Sequence, residues 1–243
     1  MRLAIISDIH GNFEALKAVV NDINKSKAEK VICLGDVATL GPQPNEVMEL
    51  LKSLDCPSIT GNHESALFNM EHATRYKIAQ PVIPVLKWCK NKLSKDDMNF
   101  LASFSPDLKI SLSATNKLLC FHGSPKSNYE IITSSSPEAQ MRRHFYNSDF
   151  KYFSGGHSHI QMLRQYNGKL VINPGSVGIP FVKIPPVGKS PSLLHWAEYA
   201  LVDYSNEVLS VNLKRIPFDT KKLIDAVKKS DMPLKEWWLE QYS

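Results

Sequence analysis

Short apolar runs that each end in a polar cluster set the rhythm of this chain. Leu3–Ile6 leads into Asp8-Ile9-His10, Val31–Leu34 into Gly35-Asp36, and Ser58–Thr60 into Gly61-Asn62-His63-Glu64. Further on, Leu118–Phe121 leads into His122-Gly123, and Tyr152–Ser154 into Gly155-Gly156-His157-Ser158-His159. Leu170–Ile172 leads into Asn173-Pro174-Gly175-Ser176. Runs of this length, rich in branched and aromatic residues, predict buried strands. Helical periodicity separates the early ones. Asn12 is placed to cap a helix through about residue 24, with Phe13, Leu16, Val19, Val20 and Ile23 on one face. Pro44 and Asn45 open a second helix that carries Val47, Leu50, Leu51 and Leu54. Strand and helix in alternation predict an α/β sheet, and such sheets bind ligands beyond the carboxyl ends of their strands. Every polar cluster above stands at such an end.

The remainder reads more coarsely. Residues 64–117 are mainly helical, with Ser94 as a cap before Asp97, Met98 and Leu101. Leu108–Leu112 and Lys117–Phe121 predict one hairpin, Glu198–Tyr204 and Val208–Arg215 another. Helices are expected near residues 137–147, after a turn at Ser134–Ser136, and near residues 220–229. Gly178–Pro191 holds too many prolines for regular structure. No repeat and no low-complexity segment interrupts the pattern.

Composition narrows the class. Apolar residues make up 43% of the 243 positions and charged residues 22%, which fits a globular chain with a sizeable core. No apolar run reaches the ~18 residues of a membrane span. The four apolar residues of Leu3–Ile6 are too few for a signal-peptide core, so a cytoplasmic location is expected. Cys33, Cys56, Cys89 and Cys120 are widely spaced and read as reduced, buried thiols. The net charge of +5 suits an anionic substrate and is no strong nucleic-acid signal. No membrane partner is expected; an oligomer is compatible with the pattern.

The chemistry lies in the joint pattern. Asp-x-His and His-x-His pairs are cheap one by one; about 0.4 and 0.3 are expected by chance at this composition. Yet five of the eight histidines fall in strand-end clusters, together with two aspartates and an asparagine. Imidazole and carboxylate together select Mn, Fe, Co, Ni or Zn over Ca and Mg. Two such ions ~3.5–4 Å apart need a shared anionic ligand and can activate water for in-line attack on phosphorus. The departing alkoxide needs a proton, which an unligated histidine can supply.

Asp8-Ile9-His10, Gly35-Asp36, Gly61-Asn62-His63-Glu64, His122 and Gly156-His157-Ser158-His159 resemble, in order, the five blocks of the calcineurin-like metallophosphoesterase superfamily. Residues 37–47 and Asn173-Pro174-Gly175-Ser176-Val177-Gly178 resemble its small bacterial and archaeal phosphodiesterase branch, as does the tail from Tyr199 to Pro233. The resemblance implies an α/β (α+β) fold, a four-layer sandwich of two packed mixed β-sheets flanked by helices. It implies a single domain over 1–243, with a motif-bearing core of about 1–178 and a hairpin-and-helix extension of about 195–243. Carried over residue by residue, Asp8, His10, Asp36 and His159 hold a first divalent transition-metal ion. Asp36, Asn62, His122 and His157 hold a second, His63 is the general acid, and Asn62 assists in catalysis. The expected substrate is a small phosphoester, with a diester favoured. A serine/threonine-type phosphomonoesterase and a non-catalytic scaffold on the same fold are the alternatives.

Three departures from the family patterns matter, the first of them from the Gly-Asp-x-x-Asp-Arg-Gly of the protein-phosphatase branch. Thr39, Leu40 and Gly41 stand where that branch has Asp-Arg-Gly, so the carboxylate that would orient the acid and a phosphate-binding arginine are both missing. Glu64 is the local candidate to support His63. Pro180 is followed by Phe181, and the proline-rich stretch to Pro191 is a candidate for the mouth of the site. His72, His144 and His195 read as structural or solvent residues, and Arg142 and Arg143 as an exposed helix face. Trp237 and Trp238 read as a docking contact or dimer surface, apart from the site.

Overall fold

The computed structural model describes residues 1–186 and 188–242. Its strands are β1 (Arg2–Ile6), β2 (Lys30–Cys33), β3 (Leu108–Ser111), β4 (Lys117–Cys120), β5 (Tyr152–Ser154), β6 (Met162–Tyr166), β7 (Lys169–Asn173), β8 (Ala197–Ser205) and β9 (Val208–Ile216). The α-helices are α1 (Phe13–Ser26), α2 (Pro44–Ser53), α3 (Asn62–Phe68), α4 (Ile83–Lys92), α5 (Lys95–Ala102), α6 (Glu138–Met141), α7 (Thr220–Lys229) and α8 (Lys235–Gln241).

Two mixed sheets result. The first has the order β2-β1-β8-β9, with β1 parallel to β2 and antiparallel to β8. The second has the order β3-β4-β5-β7-β6, with β4, β5 and β7 parallel and β3 and β6 antiparallel at its edges. Strand alternation assigns each face. Leu3 and Ile5 of β1, with Ala200, Val202 and Tyr204 of β8, pack on Leu118, Cys120 and Ile172 of the second sheet. Ala4, Ile6, Tyr199 and Leu201 face the other way and meet Leu16, Val19 and Ile23 of α1. Behind the second sheet, Leu119, Phe121, Phe153 and Val171 pack on Met141 and Phe145. Helices, sheet, sheet and helix therefore form four layers.

Local sequence explains most of the elements. Asn12 Oδ1 accepts from the Ala15 amide at the start of α1, and Ser94 forms a capping box with Asp97 at the start of α5. The helix expected near 137–147 is α6 continued by a π-helical turn, Arg142–Tyr146. Two expectations change. Ser58–Thr60 is not a full strand; Ser58 and Ile59 make isolated parallel bridges to Cys33 and Ser105, between Pro57, which has no donor, and Gly61. Strand β6 was not anticipated, although Asn167-Gly168, at φ 47° and 74°, is the residue pair that a type I′ hairpin turn demands.

The tail corrects another expectation. Trp237 and Trp238 do not form an external docking surface. Trp238 is 1% exposed in a cluster with Val85 of α4, Ile179, and Leu223 and Val227 of α7. Its apolar ring is better sheltered there than in water, and its Nε1–H donates to Leu40 O at 2.8 Å. The Gly178–Pro191 stretch is irregular apart from a bridge between Phe181 and Leu193; Val187 lies outside the described residues. Cys33, Cys89 and Cys120 are buried free thiols, whereas Cys56 is half-buried. Among the described residues, no helix is long and apolar enough to cross a membrane.

Candidate metal centre

The sequence-predicted residues converge at one end of the two sheets. Asp8 and His10 follow β1, Asp36 follows β2, Asn62 and His63 open α3, His122 follows β4, and His157 and His159 follow β5. Asp8, His10, Asp36, His157 and His159 all adopt positive φ, between 48° and 64°. Left-handed backbone costs a non-glycine residue roughly 1–2 kcal/mol, so five together amount to roughly 5–10 kcal/mol of strain. Such conformations concentrate at functional sites and persist only where surrounding bonds over-determine them.

Each aspartate has one oriented oxygen and one bare oxygen. Asp8 Oδ2 accepts from Ser7 Oγ at 2.5 Å and from the His157 amide at 3.0 Å. Asp36 Oδ1 accepts from the His63 amide at 2.9 Å. A Cβ at Gly61 would sit 2.0 Å from that Asp36 oxygen, so only glycine fits there. Asp8 Oδ1 and Asp36 Oδ2 are buried without an aligned hydrogen bond. Imidazole nitrogens surround them instead: His159 Nε2 lies 3.2 Å and His10 Nε2 3.8 Å from Asp8 Oδ1, and His122 Nε2 lies 3.2 Å from Asp36 Oδ2.

Outer bonds turn the rings inward. His122 Nδ1 lies 2.7 Å from Leu34 O, and His159 Nδ1 lies 2.9 Å from Ile179 O, so each Nε2 faces the cluster. The Asn62 amide donates to Tyr76 O, which leaves its Oδ1 3.1 Å from His122 Nε2. Among the described residues, three groups have ligand atoms close enough to hold a metal ion: Asp8, His10 and His159; Asp36, His122 and His157; and His10, Asp36 and His63. The donor set therefore fits divalent metal. The third group brings the expected acid, His63, among the candidate ligands as well.

Glu64 does not support His63. Its carboxylate accepts from the amides of Asp36, Val37 and Gly61 at 2.7, 2.9 and 2.8 Å, and so holds the Asp36 loop. The partner of His63 is Thr39, fully buried, whose Oγ1 lies 2.8 Å from His63 Nδ1. Sequence reasoning noted Thr39 only as a missing aspartate; its place in Gly-Asp-x-x-Thr was the available signal.

The electrostatics of the metal-free cluster follow from burial and charge. Burial alone would push His122 down, but Asp36 pushes it up to about 10. His157 falls to about 4, through burial and then the neighbouring His122 charge. His10 lies well below its ordinary value through burial and His63. Burial opposes ionisation of Asp8 and Asp36, yet His159 and His122 respectively hold them below the usual carboxylate range. Glu64 is raised to about 7 by burial and by Asp36, against its three amide donors. Burial also lowers His63, so at neutral pH the metal-free cluster keeps its proton on His122 while His10 and His157 are neutral and both aspartates stay charged.

A cavity of about 440 Å³ opens over the cluster, lined on one side by His10, Asp36, Asn62, His63, His157 and His159. Its other walls are Leu40, Val82, Phe181, Pro185, Pro191 and Trp237, so the proline-rich stretch and α8 both shape the mouth. Arg142 and Arg143 do not line it; Arg142 lies over the Tyr146 ring and Arg143 pairs with Glu130. His72, His144 and His195 also lie outside it. His144 is buried against Glu130, and His195 contacts Gln241 O.

Comparison with known proteins decides the family. Residues 1–195 match the family described as calcineurin-like phosphoesterase superfamily domain. The chain belongs to the calcineurin-like phosphoesterase superfamily. This phosphoesterase is 30% identical to an uncharacterized protein of Methanocaldococcus jannaschii, over 97% of the present chain and 94% of the relative. In structure it is similar to a metallophosphoesterase from Sphaerobacter thermophilus, with TM-score 0.76 and 23% identity, covering 99% of this chain and 98% of that one. It is also similar to a hypothetical protein of Pyrococcus horikoshii, with TM-score 0.81 and 23% identity over 99% and 97% of the two chains. At that identity the likeness establishes the fold: two mixed sheets flanked by helices. The superfamily assignment makes the chain a phosphoesterase, and its fold implies divalent metal.

Proposed function

We propose that this phosphoesterase hydrolyses small, nucleotide-like phosphodiesters with two divalent transition-metal ions, drawn from Mn, Fe, Ni, Co or Zn. Asp8, His10, Asp36 and His159 would hold one ion, and Asp36, Asn62, His122 and His157 the other. The observation that carries the reading is the pair of bare, buried carboxylate oxygens, Asp8 Oδ1 and Asp36 Oδ2, each ringed by imidazole nitrogens. Buried carboxylate oxygens need a positive partner; the neighbouring imidazoles supply it in the metal-free cluster, and a cation among the same nitrogen donors would take their place. When bound, the ions polarise the phosphoryl oxygens and make hydroxide available near neutral pH.

The chain's own residues supply the rest. His63, oriented through Thr39, gives its proton to the leaving oxygen. Asn62, fixed through Tyr76 O, presents its carbonyl oxygen to the cluster. The same reading treats residues 1–243 as one domain, supported by the pairing of β8 with β1, and carries over the expected cytoplasmic location.

A diester preference follows from the donors. A monoester dianion calls for extra charge-paired donors, and arginine's planar fork suits it best. No arginine among the described residues lines the cavity; its cations are Lys77 and Lys189, both exposed at the mouth. The Mn-loaded protein should turn over bis(p-nitrophenyl) phosphate with higher kcat/KM than p-nitrophenyl phosphate, and lose both activities in excess chelator. A clear monoester preference would return the phosphomonoesterase reading, and full activity in chelator would end the metal reading.

A further inference from the structure

The cavity beside the metal cluster has two unlike halves, and the apolar half has no part in holding metal or donating the proton. Phe181 is fixed there by the chain around it. Its amide donates to His159 O at 3.0 Å, and Leu194 N bonds Pro180 O at 2.9 Å. The Phe181 ring stacks on His159, with centroids 4.3 Å apart and planes 21° from parallel. From the opposite direction, α8 brings Trp237 to the same cavity, edge-on to Trp238 at 5.5 Å. Trp238 is itself anchored to Leu40 O, so Trp237 stands on a rigid base. The indole N–H of Trp237 has no hydrogen-bond partner among the described residues. Pro185 and Pro191 complete the wall with side chains of little conformational freedom.

We propose that Phe181 and Trp237 form a subsite for the non-reacting arm of the diester, and that this arm carries a planar ring of nucleobase size. The inference rests on the phosphodiesterase reading and names the substrate class it takes. Half-buried aromatic rings within reach of a reacting phosphate offer broad flat faces at low entropic cost, and stacking on such faces tolerates any base. A volume of about 440 Å³ lies within the usual range of small-molecule sites. An aliphatic arm would gain burial but neither the stacking nor a use for a free indole donor. The proposal makes the proline-rich stretch and the C-terminal helix specificity elements of the phosphoesterase.

Three p-nitrophenyl diesters share one leaving group and differ in the other arm: thymidine 5′, methyl and hexyl. With the Mn-loaded full chain, the thymidine ester should exceed the methyl ester in kcat/KM by roughly tenfold, mostly through KM, and should exceed the hexyl ester as well. Trp237→Leu and Phe181→Leu should each bring the thymidine-to-methyl ratio toward unity. Trp237→Leu keeps the test sound if Phe181→Leu disturbs His159. Calorimetry supplies a second readout, in which thymidine 5′-monophosphate should bind roughly tenfold tighter than inorganic phosphate, with the gap closing in Trp237→Leu. A wild-type ratio within twofold of unity, a ratio unmoved by both variants, or a hexyl ester equal to the thymidine ester overturns the subsite. Absence of turnover with all three esters defeats the phosphodiesterase reading instead. Calorimetry then decides the subsite alone, and equal affinities overturn it.

Discussion

Thr39→Val tests what one hydroxyl contributes to the proposed acid; the same Oγ1 lies 3.5 Å from His10 Nδ1, so metal content is measured alongside the rate. Threonine and valine have nearly the same shape, so the change removes Oγ1 without opening a cavity. In the native chain Oγ1 lies 2.8 Å from His63 Nδ1, with Thr39 fully buried and His63 8% exposed. A buried donor left unsatisfied costs about 1–3 kcal/mol. That cost falls on the protonated ring, whose Nδ1–H has only this oxygen to donate to. If it reappears in the transition state for proton donation, kcat falls roughly 5- to 150-fold, because 1.36 kcal/mol is tenfold in rate. KM should change little. The loss should grow with the pKa of the leaving group: large for an alkyl phenyl diester, small for the p-nitrophenyl analogue. Thr39→Ser, which keeps an oxygen, should recover most of the rate. His63→Gln should show the same leaving-group trend with a loss of ~10²–10⁴ and near-normal metal content. The double variant should be no worse than His63→Gln, since both act on one proton. A Thr39→Val protein with native kcat on the poor leaving group refutes the reasoning. A His63→Gln protein that loses metal places His63 among the ligands, as its cluster with His10 and Asp36 permits.

Two further outcomes follow from the site and the tail. In the metal-free chain Asp36 pushes His122 up to about 10, so at neutral pH a proton occupies a proposed ligand and must leave before metal enters. Apparent Mn affinity, titrated by calorimetry, should therefore weaken by about tenfold per unit as pH falls from 8 to 6, and a pH-independent affinity would contradict this. Trp238→Ala removes a ring that is 1% exposed, at about 3–5 kcal/mol; for a chain of this size that is a fall in Tm of roughly 6–20 °C by calorimetry, and a shift under 2 °C would show that α8 packs loosely.

The strand ends were legible because each carries residue types that have few other uses there. Five histidines, two aspartates and an asparagine after apolar runs need no tertiary information to be grouped, and the structure brings all of them within one cluster. The roles of Thr39 and Glu64 were not legible. A threonine has no chemical signature of its own, and a glutamate next to His63 in sequence points away from it once α3 forms. Glu64 is at the third position of that helix, where a side chain turns back to the amides that precede the helix. Trp237 and Trp238 were misread for a similar reason. An apolar pair near the end of a chain reads the same whether it meets a partner or its own core. Only the positions of Leu40 and Val85, nearly 200 and 150 residues earlier, decide it. Strand β6 was missed despite a stronger local signal, Asn167-Gly168.

The strained backbone explains why the chain beyond β7 matters to residues that precede it. Asp8 at φ 54° is held by Ser176 Oγ and Gly178 N, both bonded to its carbonyl, and by its own amide on Gly35 O. His10 at φ 48° is held by its amide on Asp36 O, and Asn12, two residues on, donates to Gly178 O. His159 at φ 56° is fixed at its ring by Ile179 O and at its carbonyl by Phe181 N. Three strained residues in the loops after two separate strands thus lean on one segment, residues 176–181. A Cβ at Gly178 would lie 1.8 Å from Ile9 O, so the segment can come this close only with glycine there. Phe181, at its end, also walls the cavity. Ligand geometry and the shape of the substrate pocket are therefore not independent properties of this phosphoesterase. A change that moves the proline-rich stretch also moves the Ile179 carbonyl and Phe181 amide that hold His159, and the Gly178 amide that donates to Asp8.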